Sequence, residues 1–238
     1  MLFAIYLIHA LSVGRMDEKL FDELVEKNSD KIPYFIMFTN PDCHKCQESL
    51  PIFEDAEYHT YEVAEFYVVD AVENPNLTSK FQLTHFPTFA LFFRNSAIPF
   101  LGKPQIHSIS NFLVEQISMR MLPINESWYD NHRKKVIYFA KRNIPPTSMG
   151  AAFGHFYRYD IDFGMRGDDT IVKLFNVSTP QWFFSDGIKN MTVPSIRHID
   201  DLFKHIRDFF NITEETKKHH DHDHDHQHHH HHSNYDDL

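Results

Sequence analysis

The chain has 238 residues, enough for one large domain or two compact ones. Its 42% hydrophobic content, with 23 phenylalanines, supplies aromatic-rich cores, while two cysteines are too few for a framework of structural cross-links. A net charge of −10 argues against a nucleic-acid partner, whose phosphates select basic surfaces.

Residues Leu2 to Val13 are almost wholly apolar, and the small residues Ser12 and Gly14 offer a cleavage point before Arg15. Residues 1–14 therefore read as a short signal peptide, although its basic leading segment is missing. About a dozen apolar residues are too few to cross a bilayer, which takes roughly 20, and no later segment is longer. No stable membrane insertion is expected. Five Asn-x-Ser/Thr sequons, at Asn76, Asn125, Asn176, Asn190 and Asn211, exceed the roughly one or two that composition would give and suit a glycoprotein of the secretory pathway.

Glu18 to Glu26 has the apolar spacing of a helix, and Ile32 to Phe38 reads as a strand. A helix then opens at Cys43-His44-Lys45-Cys46 and carries Leu50, Phe53 and Ala56 on one face. Both cysteines of the chain sit in this run. A bridge across two residues constrains the unfolded chain little, so redox exchange explains the pair better than stapling does. Half of a zinc site is the alternative, without a second cysteine pair to complete it. Glu65 to Val69 (strand), Asn76 to Phe81 (helix), Thr88 to Phe93 and Ala97 to Leu101 (strands) and Ile109 to Met119 (helix) follow. This order describes a small α/β sandwich with a mixed sheet.

The second half repeats the first. Phe81-Gln82-Leu83-Thr84, with Pro87 before a strand, is echoed by Phe175-Asn176-Val177-Ser178, with Pro180 before Trp182-Phe183-Phe184. Ile109 to Leu113 is echoed by Ile199 to Phe203, and the copies join near Leu122 to Asn125. After the second copy's strand Val136 to Phe139, the segment Lys141 to Ser148 holds Pro145 and Pro146 and no cysteine.

Phe38 to Cys46 resembles the active-site segment of thioredoxin-like proteins, particularly the protein disulfide isomerase family, and Phe86 to Phe93 resembles that family's cis-proline loop and following strand. The resemblance implies an α/β chain of two tandem thioredoxin-like domains, each a central mixed β-sheet flanked by helices. Residues 15–122 would form the domain with the redox pair, 123–213 a redox-inactive copy, and 214–238 a disordered His-rich tail. It further implies a thiol-disulfide oxidoreductase or disulfide isomerase that needs no cofactor beyond its own redox-active disulfide. Its partners would be unfolded or disulfide-containing client proteins, with glutathione or an oxidase as redox partner. Phe86 and Pro87 would bind substrate, the Phe86 backbone pairing with an extended client segment. Cys43 is the expected nucleophile, its thiolate favoured by the helix N-terminus and by His44 and Lys45, and Cys46 the resolving thiol. Two departures point to slow exchange. Met37 stands where the family buries an acid, and Asp42 replaces the usual tryptophan before the first cysteine. A lumenal chaperone or client-retention factor with weak turnover is the alternative.

The tail alternates His and Asp and ends in a histidine run. His219, His220, His222, His224, His226, His228, His229, His230, His231 and His232 are candidate weak ligands for Zn, Cu or Ni, which would make a divalent-metal buffer a third reading. The last residues, Tyr235-Asp236-Asp237-Leu238, loosely resemble an endoplasmic reticulum retrieval signal, so the expected location is that lumen, with secretion as the alternative.

Overall fold

The computed structural model describes residues 13–60, 63–140, 144–166, 168–194, 196 and 198–213. In the first half, β1 (Gly14–Arg15), α1 (Glu18–Phe21), a π-helical turn at 22–26, β2 (Tyr34–Thr39), α2 (His44–His59) and β3 (Glu65–Asp70) come in order. They are followed by α3 (Pro75–Lys80), β4 (Thr88–Phe93), β5 (Ser96–Phe100) and α4 (Ile106–Ser118). The sheet order is β1-β3-β2-β4-β5. Strands β1, β3 and β2 run parallel, while β4 and β5 are antiparallel to their neighbours.

The sequence of β2, Tyr-Phe-Ile-Met-Phe-Thr, has no polar face because the strand lies mid-sheet with helices on both sides. Its side chains alternate between two cores. Phe35 and Met37 join Phe53 and Ala56 of α2 and Ile109 and Leu113 of α4. Ile36 and Phe38 join Phe21, Val25 and Leu77 on the opposite face. Phe35 and Phe53 are fully buried with ring centroids 5.5 Å apart, and each contributes roughly 1.5–3 kcal/mol by leaving water.

The second half repeats the plan with β6 (Leu122–Pro123), α5 (Ser127–Asp130), β7 (Lys135–Phe139), α6 (Thr147–Phe156), a short 3-10 turn at 157–159 and β8 (Asp162–Arg166). Then come α7 (Asp169–Leu174), β9 (Gln181–Ser185), β10 (Asn190–Val193) and α8 (Ile199–Phe210). Its order, β6-β8-β7-β9-β10, is that of the first sheet. The echo read from the sequence extends to backbone detail. Gln82 after α3 and Asn176 after α7 both have φ of 52°, and Leu83 and Val177 each donate back to the carbonyl five residues earlier.

Two expected boundaries fall inside regular structure. Leu122 and Pro123, read as a join, pair with Gly164 and Met165 as the edge of the second sheet. Gly14, read as the end of the signal peptide, pairs with Tyr67 next to a buried Val13. The rest of that segment, residues 1–12, lies outside the described residues, as does the tail from 214 on.

The domains share one apolar cluster, which runs from Phe53 and Leu113 through Ala152 and Phe156 to Leu202 and Ile206. Helix α6 lies against α4 so closely that a Cβ on Gly150 would stand 2.2 Å from the Val114 carbonyl oxygen. Ser118 on α4 closes the contact. Its Oγ accepts from the Gly150 N–H at 2.9 Å and can donate to the Pro146 or Thr147 carbonyl.

Candidate active site

The site forms where β2 ends. Asn40-Pro41-Asp42 turns the chain, with the Asn40 side chain accepting from the Asp42 N–H at 2.9 Å and its carbonyl accepting from Cys43 N–H at 3.0 Å. Cys43 then caps α2 from an extended conformation (φ −94°, ψ 105°), and its Sγ accepts the Cys46 N–H at 3.1 Å. The helix runs sixteen residues with no acidic residue in its first turn, so nothing on it offsets the partial positive charge there. Pro51 interrupts the hydrogen-bond ladder one turn further in.

Cys43 and Cys46 are joined in a disulfide, Cα atoms 5.2 Å apart. Their exposures differ. Cys43 is half-buried, whereas Cys46 is 3% exposed and part of the core. An incoming sulfur therefore reaches Cys43 first. His44 and Lys45 are exposed, and His44 Nδ1 stands 3.5 Å from Glu48 Oε1. Asp42 is exposed as well.

Strand register brings the second motif to the same place. Thr88 pairs with Phe38, so Pro87 stands at the end of β2 from which the chain leads to Cys43. The Phe86–Pro87 peptide is cis, and Phe86 is half-buried against both cores of the first domain. Its counterpart Thr179–Pro180 is also cis, preceding Gln181, which pairs with Phe139. The second domain holds no cysteine to accompany it. Lys141 to Asn143, part of the segment replacing the redox motif, lie outside the described residues, and α6 starts at an uncapped Pro146.

Met37 is fully buried in the cluster that holds Cys46, flanked in register by Val68 and Phe89. The position read as departing from the family pattern is therefore in the core beside the resolving sulfur's helix, and its immediate strand neighbours carry no acid. Asn40 and Pro51 were missed in the sequence, where their signals are the Asn-Pro-Asp turn and a proline within the helix.

Among the described residues no group of three His, Cys, Asp or Glu could hold a metal ion. Both thiols are spent in the disulfide, which leaves no zinc half-site in this state. The histidines from His219 to His232 and the terminal tetrapeptide lie outside the described residues. All five sequon asparagines are exposed: Asn76 in α3, Asn125 beside α5, Asn176 after α7, Asn190 at the start of β10 and Asn211 capping α8. No helix of the described residues is long and apolar enough to cross a membrane.

Residues 12–115 match the family model of thioredoxin. No protein of curated function matches the sequence. Among solved structures, a crystal form of ERdj5 is similar over 84% of this chain at 11% identity and a TM-score of 0.55, covering 30% of its own length. Human ERp44 is similar over 84% of the chain at 15% identity and a TM-score of 0.44, covering 56% of its length. The first thioredoxin domain of mouse protein disulfide-isomerase A4 is similar over 47% of the chain at 20% identity and a TM-score of 0.41, covering 80% of its length. The chain spans less than two thirds of the first two of these proteins. Sheet order, paired cis-prolines and the neighbour of the same fold agree that this chain is a tandem of two domains of thioredoxin-like fold, the first matching the thioredoxin family model and holding a disulfide-bonded Cys-x-x-Cys, the second without cysteines.

Proposed function

We propose that the protein is a thiol-disulfide oxidoreductase of the disulfide isomerase kind, acting on client proteins in the secretory pathway. The observation that carries this reading is the asymmetry of the pair, with a reachable Cys43 at a helix N-terminus bonded to a buried Cys46. A client thiolate attacks Cys43 Sγ, the Cys43–Cys46 bond breaks, and Cys46 leaves as a thiolate that takes up a proton. A second client thiolate then attacks the client sulfur of the mixed disulfide. The client gains a disulfide, Cys43 leaves as a thiolate, and the pair is left reduced. The reverse sequence reduces or reshuffles clients. The Cys46 N–H directed at Cys43 Sγ and the α2 N-terminus both favour the Cys43 thiolate.

Glutathione or an oxidase would reset the pair, and Phe86 and Pro87 would seat an extended client segment beside Cys43. Endoplasmic reticulum residence accords with the five exposed sequons. Refolding of a reduced, scrambled substrate such as ribonuclease tests the activity. Cys43→Ser abolishes it if the reading is right, and undiminished refolding by that variant overturns it.

A second reading rests on Met37. With no carboxylate beside Cys46 on the neighbouring strands, its proton transfer is slow, and a mixed disulfide with a client persists. The protein would then retain clients more than turn them over. Lifetimes of the mixed disulfide in buffered glutathione separate the two.

A further inference from the structure

We propose that the seam between the two domains is a second binding site, one that takes a small monoanionic carboxylate with an apolar or aromatic body. A cleft of about 870 Å³ opens there. That is within the roughly 300–1,000 Å³ typical of ligand sites, and domain boundaries are where such sites concentrate. Neither domain makes the cleft alone. Tyr34, Tyr67 and Arg94 line it from the first, and Phe153, Tyr157 and Arg158 from the second. It lies at the starts of β2 and β3 and at the end of β4, whereas Cys43 and Pro87 lie beyond the opposite ends of these strands. The cleft is therefore no part of the redox site.

Arg94 carries the inference through two independent features. Its backbone is the first. Arg94 and Asn95 form the two-residue turn between β4 and β5 with φ of 53° and 55°. Such turns select Asn, Asp and Gly, so an arginine stands there against local preference. Residues held in that way are found where a side chain is needed in one place.

The second feature is a guanidinium with no carboxylate at ion-pair distance among the described residues. Arg94 Nη1 donates to the Asp30 backbone carbonyl at 2.6 Å, its Nε is buried with no acceptor, and among the described residues no carboxylate pairs with it. Its guanidinium lies over the rings of Phe93 and Phe153, at 5.0 and 5.7 Å. Burial lowers its affinity for the proton, with the fields of Asp30 and Asp162 opposing. The other arginines of the cleft are satisfied. Arg133 pairs with Asp160 and Asp162 at 3.0 and 2.9 Å, and Arg158 pairs with Glu65.

The surroundings select the ligand's charge and shape. One carboxylate would compensate one unpaired guanidinium, while a phosphate dianion would also face Asp30, Glu65, Asp160 and Asp162 on the same walls. Apart from Asn28 and the exposed Lys31, the rest of the lining is phenol rings and apolar side chains such as Leu24 and Phe163, which suit an apolar body. Burial pushes the Tyr67 hydroxyl up to about 12, so at neutral pH it stays protonated and adds no negative charge. A free aromatic acid and the C-terminal carboxylate of a peptide present this same chemistry.

The test is calorimetric titration of the full chain with 2-naphthylacetate and with its primary amide, alongside amide chemical-shift mapping. The acid should bind, the amide should bind at least about tenfold more weakly, and Arg94→Gln should weaken the acid by about tenfold. Shifts should centre on Tyr34, Tyr67 and Phe153. An acetylated dipeptide ending in a free phenylalanine carboxylate, compared with 2-naphthylacetate, identifies the source, and tighter binding of either supports the site. Absence of binding at millimolar acid, equal binding of acid and amide, or shifts centred on Cys43 and Pro87 overturns the proposal. Should Arg94→Gln fail to fold, the acid-amide comparison and the map on the unaltered protein still decide.

Discussion

Cys43 and Cys46 differ in one respect that organises their chemistry, namely which sulfur a client can touch. Cys46→Ser removes the resolving thiol and leaves the reachable one, so clients should accumulate on Cys43 as mixed disulfides, visible as reducible high-mass bands after acid quenching. Bands of equal intensity from Cys43→Ser would show that the exposure difference does not set the roles. Met37 tunes the next step. Placing a carboxylate there gives the Cys46 thiol a proton acceptor, so Met37→Glu should shorten the lifetime of a trapped mixed disulfide in stopped-flow decay. Burying that acid among Val68, Phe89 and Phe35 should also cost about 1–3 kcal/mol of stability by chemical denaturation. A folded variant with an unchanged lifetime would mean that the proton leaves by another route.

At the scale of elements, α6 shows how a helix that opens with a redox pair in one copy serves as an interdomain contact in the other. Gly150 and Gly154 lie one turn apart on its face. A Cβ at Gly154 would stand 2.6 Å from the Val63 backbone, and one at Gly150 would meet both Val114 and Ser118. Gly150→Ala should therefore push α6 off α4 and lower stability by roughly 1–3 kcal/mol, as overpacking does. Limited proteolysis near residues 120–125 should accelerate, while Cys43–Cys46 exchange persists because α2 keeps its own packing on β2. Unchanged proteolysis would show that the interface tolerates the methyl group. These elements also mark how far the sequence was legible. The β2-α2 junction was readable because an apolar run followed by a Cys-x-x-Cys leaves few alternatives, and the repeat was readable because Phe81 and Phe175 begin the same helix exit. The tight α4-α6 contact was not, since a glycine's meaning depends on what faces it from 36 residues away, as Val114 faces Gly150. The edge strands β1 and β6 were equally hidden, being two residues long and composed of a glycine and an arginine, or a leucine and a proline. Only long-range pairing defines them. In the candidate site, the cis-proline loop was read from its resemblance and not from spacing, and the seam around Arg94 had no signal in the sequence because its walls come from both halves.

At the scale of the whole molecule, two folded domains share a core and precede a segment of quite different composition. Of the ten histidines between His219 and His232, four interleave with aspartates and five are consecutive, and no apolar residue lies among them, so many near-equivalent imidazoles would compete for any metal bound there. We expect modest affinity, more than one ion per chain, and little discrimination among Zn, Cu and Ni. Binding needs neutral imidazole, whose protonation lies near pH 6.5. Affinity should therefore be present above that value and fall steeply as pH drops through it, since each ligand must release a proton to bind. Deleting residues 217–232 should abolish the uptake while leaving disulfide exchange nearly intact, because every residue of the redox site is positioned by β2, α2 and β4. Titration calorimetry of full-length and truncated protein at about pH 7.5 and about pH 5.5 tests both halves of the expectation. Equal zinc uptake by the two forms would exclude the tail as the metal site. Repeating the titration after reducing the Cys43–Cys46 bond would then ask whether the freed thiols take the ion, the one donor pair in the described structure that the oxidised state withholds.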